Sequence, residues 1–456
     1  MNRRFSGTVA LAATLGAIYL AVLPMASTIA LRNLALAGLL IVLLLSFRDL
    51  RDDMPWSWPV VLWLGYLLVF PLIADDRLQA WQNLTGQWGR VLLAMVAGAG
   101  LAILLRRQGQ GSAMQLGVLS AVPILVHLTL LGWQFIQSGS VPWGSWGRET
   151  HHADLGYAAG HAVILLSAAF VAGDSRLRPV ALVLILAALL STVLARSRAG
   201  FAFAVLGSLL VLGQAFWLSS RERRRNVILA LLGLMVVGSA IFTLATRNDP
   251  RWRNMTDQLS AGMLGDELLI ACKGVSTIEE EIRHRYSEAG RVSEILASVQ
   301  GGDGARVVAL RVGMHLVLSH PWGSDGSRFA FQHLLAEECP APAMPLLHAH
   351  NGWIDMTLAI GWGGALLYLG MLAYFFQQGR ANLRGSSTTG TRVWALVLTS
   401  VVAFWVLRGL TDSVYRDHML EMQGLILAYA YTALKLGQGR KRSDSSQDAT
   451  KPATQS

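Results

Sequence analysis

Runs of apolar residues recur along the whole chain, and most approach the length of about 20 residues that crosses the hydrocarbon core of a bilayer. Short polar or basic segments separate them. We predict a membrane-spanning helix from each of twelve runs, at residues 6–23, 29–46, 58–73, 89–105, 114–137, 155–172, 179–195, 199–218, 226–245, 351–377, 391–410 and 419–436. The first run has the length of a signal peptide, but a second apolar run follows it almost directly, so we interpret it as a retained helix. The pattern therefore predicts an all-α polytopic membrane protein.

This rhythm is interrupted once, because residues 246–348 contain no run long enough to span a membrane. Residues 255–299 place apolar side chains at helical spacing among charged ones, which is typical of amphipathic helices that lie on a membrane or cover a cavity. A further helix is predicted at 305–319, ending where the His320-Pro321 step disfavours helical backbone.

These boundaries divide the chain into four parts. Spans one to nine occupy residues 1–245, a large helical loop domain occupies 246–350, and the last three spans occupy 351–436. Residues 437–456 form a polar tail that we predict to be disordered.

Composition and charge agree with this pattern. Hydrophobic residues make up 53% of the chain and charged residues 14%, against about 25% charged residues in a typical soluble domain, which excludes a water-soluble globule. With the N-terminus inside, cytoplasmic segments hold 20 of the 38 Lys and Arg residues, the short outer segments hold 8 and the long segment holds 10. About half of the basic residues behind the net charge of +10 thus mark the cytoplasmic face of the membrane, and we predict no nucleic-acid partner. We expect cytoplasmic termini, a loop domain on the outer, periplasmic face, and anionic membrane lipids beside the basic tail.

Two arginines lie where topology alone would not place them. Arg196 and Arg198 form the short outer connection between the seventh and eighth spans. Charges at this depth usually face a cavity or a partner, and a guanidinium group binds phosphate through two parallel hydrogen bonds. Snorkelling to lipid headgroups is the alternative. Weaker cases of the same kind are Arg90, Arg408 and Arg416.

Histidines are the other candidate groups. In the predicted loop helix, His315 follows Arg311 at i+4 and shares its face. His348 and His350 lie just before the tenth span, where a histidine with an unperturbed pKa of about 6.5 can take a proton from an attacking hydroxyl. A hydrogen-bonded structural histidine fits equally well. No further set of side chains has metal-site spacing, so we predict no metal.

The loop domain also holds both cysteines, Cys272 and Cys339. A disulfide between them is compatible with an oxidising periplasm, whereas the sequence leaves their separation open.

The chain resembles the O-antigen ligase family in three groups of residues. This family is part of a larger group that includes Wzy-type O-antigen polymerases and bacterial O-oligosaccharyltransferases. The three groups of residues are Ser197-Arg198-Ala199-Gly200 opening a helix, Arg311 followed by the segment His320 to Gly326, and His350-Asn351 with Gly361 to Gly364 on the next helix. Their order and placement cover most of the chain, although Ala199 stands where the family often has glycine.

The resemblance implies a GT-C-like membrane enzyme that transfers O-antigen from undecaprenyl pyrophosphate to a sugar hydroxyl of lipid A-core, with no nucleotide, metal or other cofactor. It further implies that Arg198 and Arg311 bind the pyrophosphate with support from Arg196, and that His350 acts as general base or positions the acceptor. The other supporting residues are Asn351, His315 and His348. Direct attack opposite the pyrophosphate would invert the anomeric centre.

A Wzy-type polymerase, which extends a lipid-linked glycan instead of lipid A-core, is the nearest alternative. A protein O-oligosaccharyltransferase usually carries more periplasmic sequence after its helices. A lipid or glycan transporter should show two related halves, which the single large loop does not suggest.

Overall fold

The computed structural model describes residues 3–25, 27–55, 57–144, 152–218, 221–248, 252, 254–384, 389–415 and 418–448. Within these ranges the regular structure is helical throughout, with no strand. The helices before the loop domain are α1 (Arg3–Val22), α2 (Ile29–Leu45), α3 (Phe47–Leu50), α4 (Trp58–Ile73), α5 (Arg77–Asn83), α6 (Gly89–Arg107), α7 (Ala113–Ser138), α8 (His152–Ala172), α9 (Arg178–Leu194), α10 (Arg198–Leu218) and α11 (Arg221–Asn248). The later helices are α12 (Met255–Ala261), α13 (Glu267–Lys273), α14 (Glu279–Arg285), α15 (Ala289–Gly301), α16 (Asp303–Ser319), α17 (Ala330–Glu338), α18 (Gly352–Arg384), α19 (Thr389–Gly409) and α20 (Met419–Asp448).

Every predicted span coincides with a helix, but fewer than twelve helices have the dimensions of a span. Seven described helical segments are long and apolar enough to cross a membrane, or eight if α2 and the bent segment after it are one broken span. Three further apolar helices are shorter, and α4, with 16 residues, is about 24 Å long against a hydrocarbon core of about 30 Å. The described helices therefore show a multi-pass arrangement without fixing the count at twelve.

Two helices extend beyond their predicted limits. α5 and α6 are joined by a π-helical turn, Leu84–Trp88, into one continuous segment that begins at Arg77. At the other end of the chain, α20 continues as helix to Asp448, past residue 437 where the disordered tail is predicted to begin. Residues 449–456 lie outside the described ranges.

Helix α8 lies at the centre of the bundle and contacts α7, α9, α10 and α19. Its apolar stretch is 89% buried, because the helix is apolar on all sides and neighbouring helices cover each of them. The functional candidates described below surround its N-terminal end.

The long helix α18 is broken at Ile360 and Gly361, and Gly361 adopts φ 72° and ψ 171°. The break leaves carbonyl and amide groups of α18 without helical hydrogen bonds, and within a membrane bundle such groups need partners from the protein. The hydroxyl of Tyr66 donates to the Ile360 carbonyl at 2.7 Å, the Gly326 amide donates to the Ala359 carbonyl at 2.9 Å, and the Trp362 amide donates to the Pro321 carbonyl at 3.0 Å. The turn from Pro321 to Gly326 therefore completes the backbone hydrogen bonding of the break.

Helix α16 is the central helix of the loop domain and contacts α12, α13, α15 and α17, as well as α18 of the bundle. It ends at Ser319, as the His320-Pro321 step predicts. The apolar faces predicted from the sequence are largely turned inward, since Ile270, Ile282 and Ile295 are at most 1% exposed. These short helices thus bury their apolar residues in a core shared with α16.

Cys272 and Cys339 are both free thiols, and they lie side by side in a thiol–thiol hydrogen bond. Burial raises the pKa of the Cys272 thiol to about 11, and the bond to Cys339 acts in the same direction. The two residues join α13 to the end of α17 without a covalent link.

Candidate functional site

Arg196 closes helix α9 in a strained backbone conformation. The Arg196 amide donates to the Val193 carbonyl at 2.8 Å, and the Ser197 amide donates to the Thr192 carbonyl at 2.9 Å. This pair of bonds is a Schellman motif, whose left-handed position is usually glycine, yet Arg196 occupies it with φ 55°. Only three described residues other than glycine have positive φ, and two of them, Arg196 and His350, are sequence-predicted site residues. Strain of this kind concentrates at functional sites.

Ser197 and Gly200 bring the start of α10 against α8. A Cβ atom on Gly156 would lie 2.8 Å from the Gly200 Cα, and a Cβ on Gly200 would lie 2.5 Å from the Ser197 hydroxyl. Small residues at these positions allow the two helices to approach closely. The Ser-Arg-Ala-Gly motif therefore sets the helix crossing and fixes where the Arg198 side chain starts.

The Arg198 guanidinium lies at the interface between the bundle and the loop domain. Its Nη2 donates to Asp303 Oδ1 at 2.7 Å, and the two side chains are only 14% and 8% exposed. The guanidinium carbon lies 5.6 Å from the centre of the Trp252 ring. A second oxygen, Asp303 Oδ2, is buried without a hydrogen-bond partner among the described residues. Arg198 thus links α10 to the first residue of α16.

His348 and His350 precede α18 as a pair of tilted rings, with centroids 4.0 Å apart and 58° between the ring planes. His348 Nδ1 accepts a hydrogen bond from the His350 amide at 3.2 Å and lies 2.7 Å from the Ser413 hydroxyl. An amide can only donate, so the neutral His348 ring carries its hydrogen on Nε2. Asn351 caps α18 by accepting from the Trp353 and Ile354 amides at 3.0 and 3.1 Å.

A buried ion pair lies beside these histidines. Arg408, in the last turn of α19, is 1% exposed and its Nη2 donates to Asp412 Oδ2 at 3.0 Å. The rings of Tyr157 and Phe203 lie 4.8 and 4.9 Å from its guanidinium carbon. Its Nε and Nη1 atoms have no hydrogen-bond partner among the described residues. The ion pair therefore joins α8, α10 and α19 at one point.

The Asp412 carboxylate also accepts two further hydrogen bonds. Oδ2 also accepts from the Tyr157 hydroxyl at 3.0 Å, and Oδ1 accepts from the Ser413 amide at 2.9 Å. Burial acts to raise the pKa of Asp412, but the positive charge of Arg408, these hydrogen bonds and the nearby His350 together hold it below its usual value. Asp412 is therefore an anion beside the histidine pair.

His161 fixes the aromatic wall of this site. Its Nδ1 donates to the Tyr157 carbonyl at 3.1 Å, and its Nε2 accepts from the Trp405 indole at 2.9 Å. The Tyr157 and Trp405 rings stack with 5.4 Å between centroids. The Tyr157 hydroxyl is thereby directed at Asp412.

The structure places Arg311 elsewhere. Its Nη1 donates to the Gly262 and Leu264 carbonyls, and its Nη2 donates to the Gly265 carbonyl and to Glu267 at 2.7 Å. Two positions along α16, Gly313 faces Ala349, and successive helical residues are rotated by about 100°, so Arg311 is directed away from the histidine pair. His315 is half-buried on the same helix.

Sequence reasoning singled out Arg408 but missed Asp412, Tyr157 and Ser413. The ion pair could have been predicted from the spacing of Arg408 and Asp412, which are i and i+4 at the end of an apolar run. Arg416 lies outside the described residues. No group of three or more potential metal ligands occurs in the described part of the chain.

A comparison with known protein families matches part of the chain. Residues 181–369, from α9 through the loop domain to α18, match the family model described as O-antigen ligase. The matched range includes Arg196, Arg198, Arg311 and His350, whereas Asp412 lies outside it. A search of curated proteins finds no match. Residues 181–369 of this multi-pass chain are therefore similar to the O-antigen ligase family, whose members are ligases and polymerases of glycosyltransferase type.

Proposed function

We propose that the chain is an O-antigen ligase that transfers polysaccharide from undecaprenyl pyrophosphate to a sugar hydroxyl of lipid A-core. In this proposal the bundle has twelve spans and a GT-C-like architecture in the bacterial inner membrane, with both termini cytoplasmic and the site periplasmic. The observation that carries it is the meeting of Arg198, the Arg408–Asp412 pair and the His348–His350 pair around the start of α8. The family match supports the same chemistry.

Arg198 is the proposed ligand of the pyrophosphate. It is the first residue of α10, so a bound phosphate would also meet the positive end of the helix dipole. Asp303 now accepts one hydrogen bond from the guanidinium, and a phosphate group would replace that carboxylate and accept two parallel hydrogen bonds. Charge that builds on the leaving pyrophosphate is then stabilised more in the transition state than in the ground state. Arg196, in the same turn, supplies a second positive charge.

His350 is the proposed general base. Two hydrogen bonds occupy His348 Nδ1, so His348 serves to hold the pair in place. The acceptor hydroxyl gives its proton to the His350 imidazole while its oxygen forms the new bond to the anomeric carbon. The bond from that carbon to the pyrophosphate oxygen breaks with its electron pair, which inverts the anomeric centre. Asp412 stabilises the imidazolium that results.

Arg311 takes part in pyrophosphate binding only after a rearrangement. Its guanidinium would have to exchange the carbonyls of residues 262–265 and Glu267 for phosphate oxygens. In the present arrangement it orders the turn between α12 and α13 instead. Arg311→Ala therefore tests two roles, and a lowered melting temperature would identify the structural one.

The test uses purified protein with undecaprenyl-pyrophosphate-linked O-antigen and lipid A-core, a chelator and no nucleotide. We expect lipid A-core to shift to higher mass, and the shift to disappear in His350→Ala. His284→Ala, an exposed loop histidine, is the matched control and should retain transfer. Arg198→Lys should lose most activity because an ammonium group cannot form the bidentate pair, whereas Arg283→Lys on the loop surface should not.

Each negative result has a meaning. Lengthening of the lipid-linked glycan without modification of lipid A-core would show a polymerase. Near-normal activity of Arg198→Lys would exclude the proposed pyrophosphate contact. A covalent glycosyl-enzyme or retained anomeric configuration would exclude direct displacement.

A further inference from the structure

A polar cavity of about 1150 Å³ lies at the start of α20, where His418 and Glu421 line it. Its walls are the turn between α1 and α2, the α5–α6 segment, the start of α20, and residues 324–337, which run from the turn after α16 into α17. Its volume exceeds the usual range of small-ligand pockets, about 300–1,000 Å³. It therefore has room for several sugar units.

The floor of this cavity carries charged residues at the ends of apolar helices. Arg32 is 5% exposed, and its Nε has no hydrogen-bond partner among the described residues. Glu421 is 3% exposed and accepts a hydrogen bond from the Tyr19 hydroxyl at 2.8 Å. Arg90 also lines the cavity. Ionisable groups in such positions are costly and usually mark a substrate path.

The backbone around the cavity is irregular at two separate places. Gly86 and Gln87 belong to the π-helical turn between α5 and α6. On the opposite wall, Ser27 has φ 54° and is the third described residue other than glycine with positive φ. Both kinds of irregularity are unfavourable and concentrate at functional sites.

The residues that line the cavity differ in charge from those of the proposed catalytic site around Arg198 and His350. Three arginines line the cavity against five carboxylates, so it has no excess positive charge to attract a pyrophosphate. Amide and hydroxyl side chains, among them Gln79, Asn83 and Ser324, lie between the charges. Such alternating donors and acceptors suit the hydroxyl groups of uncharged sugars.

The cavity lies next to the segment that contacts the histidine pair. Gln87 Nε2 donates to the Tyr415 carbonyl at 3.3 Å, and His418 lines the cavity. Tyr415 follows Asp412 and Ser413, which contact Arg408 and His348. The cavity lining and the proposed catalytic site therefore both contact residues 412–415.

We propose that this cavity binds the uncharged sugar units of the acceptor glycan, while the pyrophosphate donor binds on the Arg198 side. The inference rests on the proposed ligase function and assigns the second substrate to its own site.

The test fills the cavity without disturbing the fold. A Cβ on Gly86 meets no atom within 4 Å, so Gly86→Phe should occupy the cavity and not clash with the protein. Gly132→Phe is the matched control, because Gly132 is equally unobstructed but lies on the exposed face of α7. Arg90→Gln removes a floor charge, and Arg77→Gln, an exposed arginine outside the lining, controls for it.

The probe is core oligosaccharide released from lipid A and dephosphorylated, with its binding measured by titration calorimetry. We expect Gly86→Phe and Arg90→Gln each to weaken binding at least about tenfold, equivalent to about 1.4 kcal/mol. Their affinity for undecaprenyl pyrophosphate, and the behaviour of both control variants, should match the unsubstituted protein.

The inference and the ligase function fail in different ways. Unchanged oligosaccharide binding in Gly86→Phe, or loss of donor affinity alone, would overturn the cavity assignment even if transfer is intact. Loss of binding on dephosphorylation of the probe would overturn recognition of uncharged sugars. Tight, cavity-dependent oligosaccharide binding without transfer would support the cavity and reject the ligase function.

Discussion

Replacing Asp412 with alanine should destabilise the protein strongly, because it leaves Arg408 charged and buried. Arg408 is 1% exposed and cannot regain water, and Asp412 is its ion-pair partner among the described residues. Loss of one member of a buried pair costs about 3–5 kcal/mol. The Tyr157 and Phe203 rings remain beside the guanidinium and retain about 1–2 kcal/mol of cation–π attraction each. We therefore expect a loss near the lower end, about 3 kcal/mol in the free energy of unfolding.

The assay is equilibrium unfolding of the purified protein by SDS in mixed micelles, followed by tryptophan fluorescence. Arg408→Met and the double variant complete a cycle in which we expect a coupling energy of about 2 kcal/mol. Asp52→Ala is the control, since its pair with Arg51 is 82% and 64% exposed and should contribute less than about 1 kcal/mol. A loss below about 1 kcal/mol in Asp412→Ala, or additive effects in the double variant, would refute the buried-pair argument.

Three further predictions follow from the same contacts. Arg196→Gly should raise the unfolding free energy by about 0.5–1 kcal/mol through relief of the left-handed backbone while reducing transfer, and a loss of stability would show that side-chain contacts outweigh the strain. Gly361→Ala should lower it by about 2 kcal/mol or more, because φ is 72° and the new Cβ would lie 2.5 Å from the Trp322 carbonyl oxygen. Gly370→Ala, whose Cβ meets nothing within 4 Å, should leave the melting temperature nearly unchanged. Because the pKa of Asp412 is lowered on folding, its stabilising effect should be complete above about pH 4 and disappear as pH falls through the folded value, and Asp412→Asn should lack this acid-dependent loss.

The helices were the predictable part of the fold. A run of about 20 apolar residues must satisfy its backbone hydrogen bonds internally in lipid, so hydropathy alone locates the helices. Their exact length is less well determined, as the continuation of α6 back to Arg77 and of α20 to Asp448 shows. Neither extension interrupts the helical backbone, and polar residues at a helix end carry no periodic signal.

The candidate site was only partly predictable. Arg198 and His350 stand out in sequence because charge and polarity are unusual beside apolar helices, and the structure gives both a defined place. Arg311 was predicted to share their role, yet its partners are the carbonyls and Glu267 of the α12–α13 turn. Spacing along α16 gives the face of a side chain but not the element that the face meets.

The sequence by itself therefore determined the helical elements, the loop domain's position and the unusual charges, because each depends on residues close together in the chain. Tertiary structure alone decided that the turn after α16 completes the hydrogen bonding of the break in α18. It also decided that Tyr157 meets Asp412, although 255 positions separate them, and that a polar cavity opens between α2, the α5–α6 segment and α20. Such contacts depend on how distant helices pack, and no local pattern of residues specifies that packing.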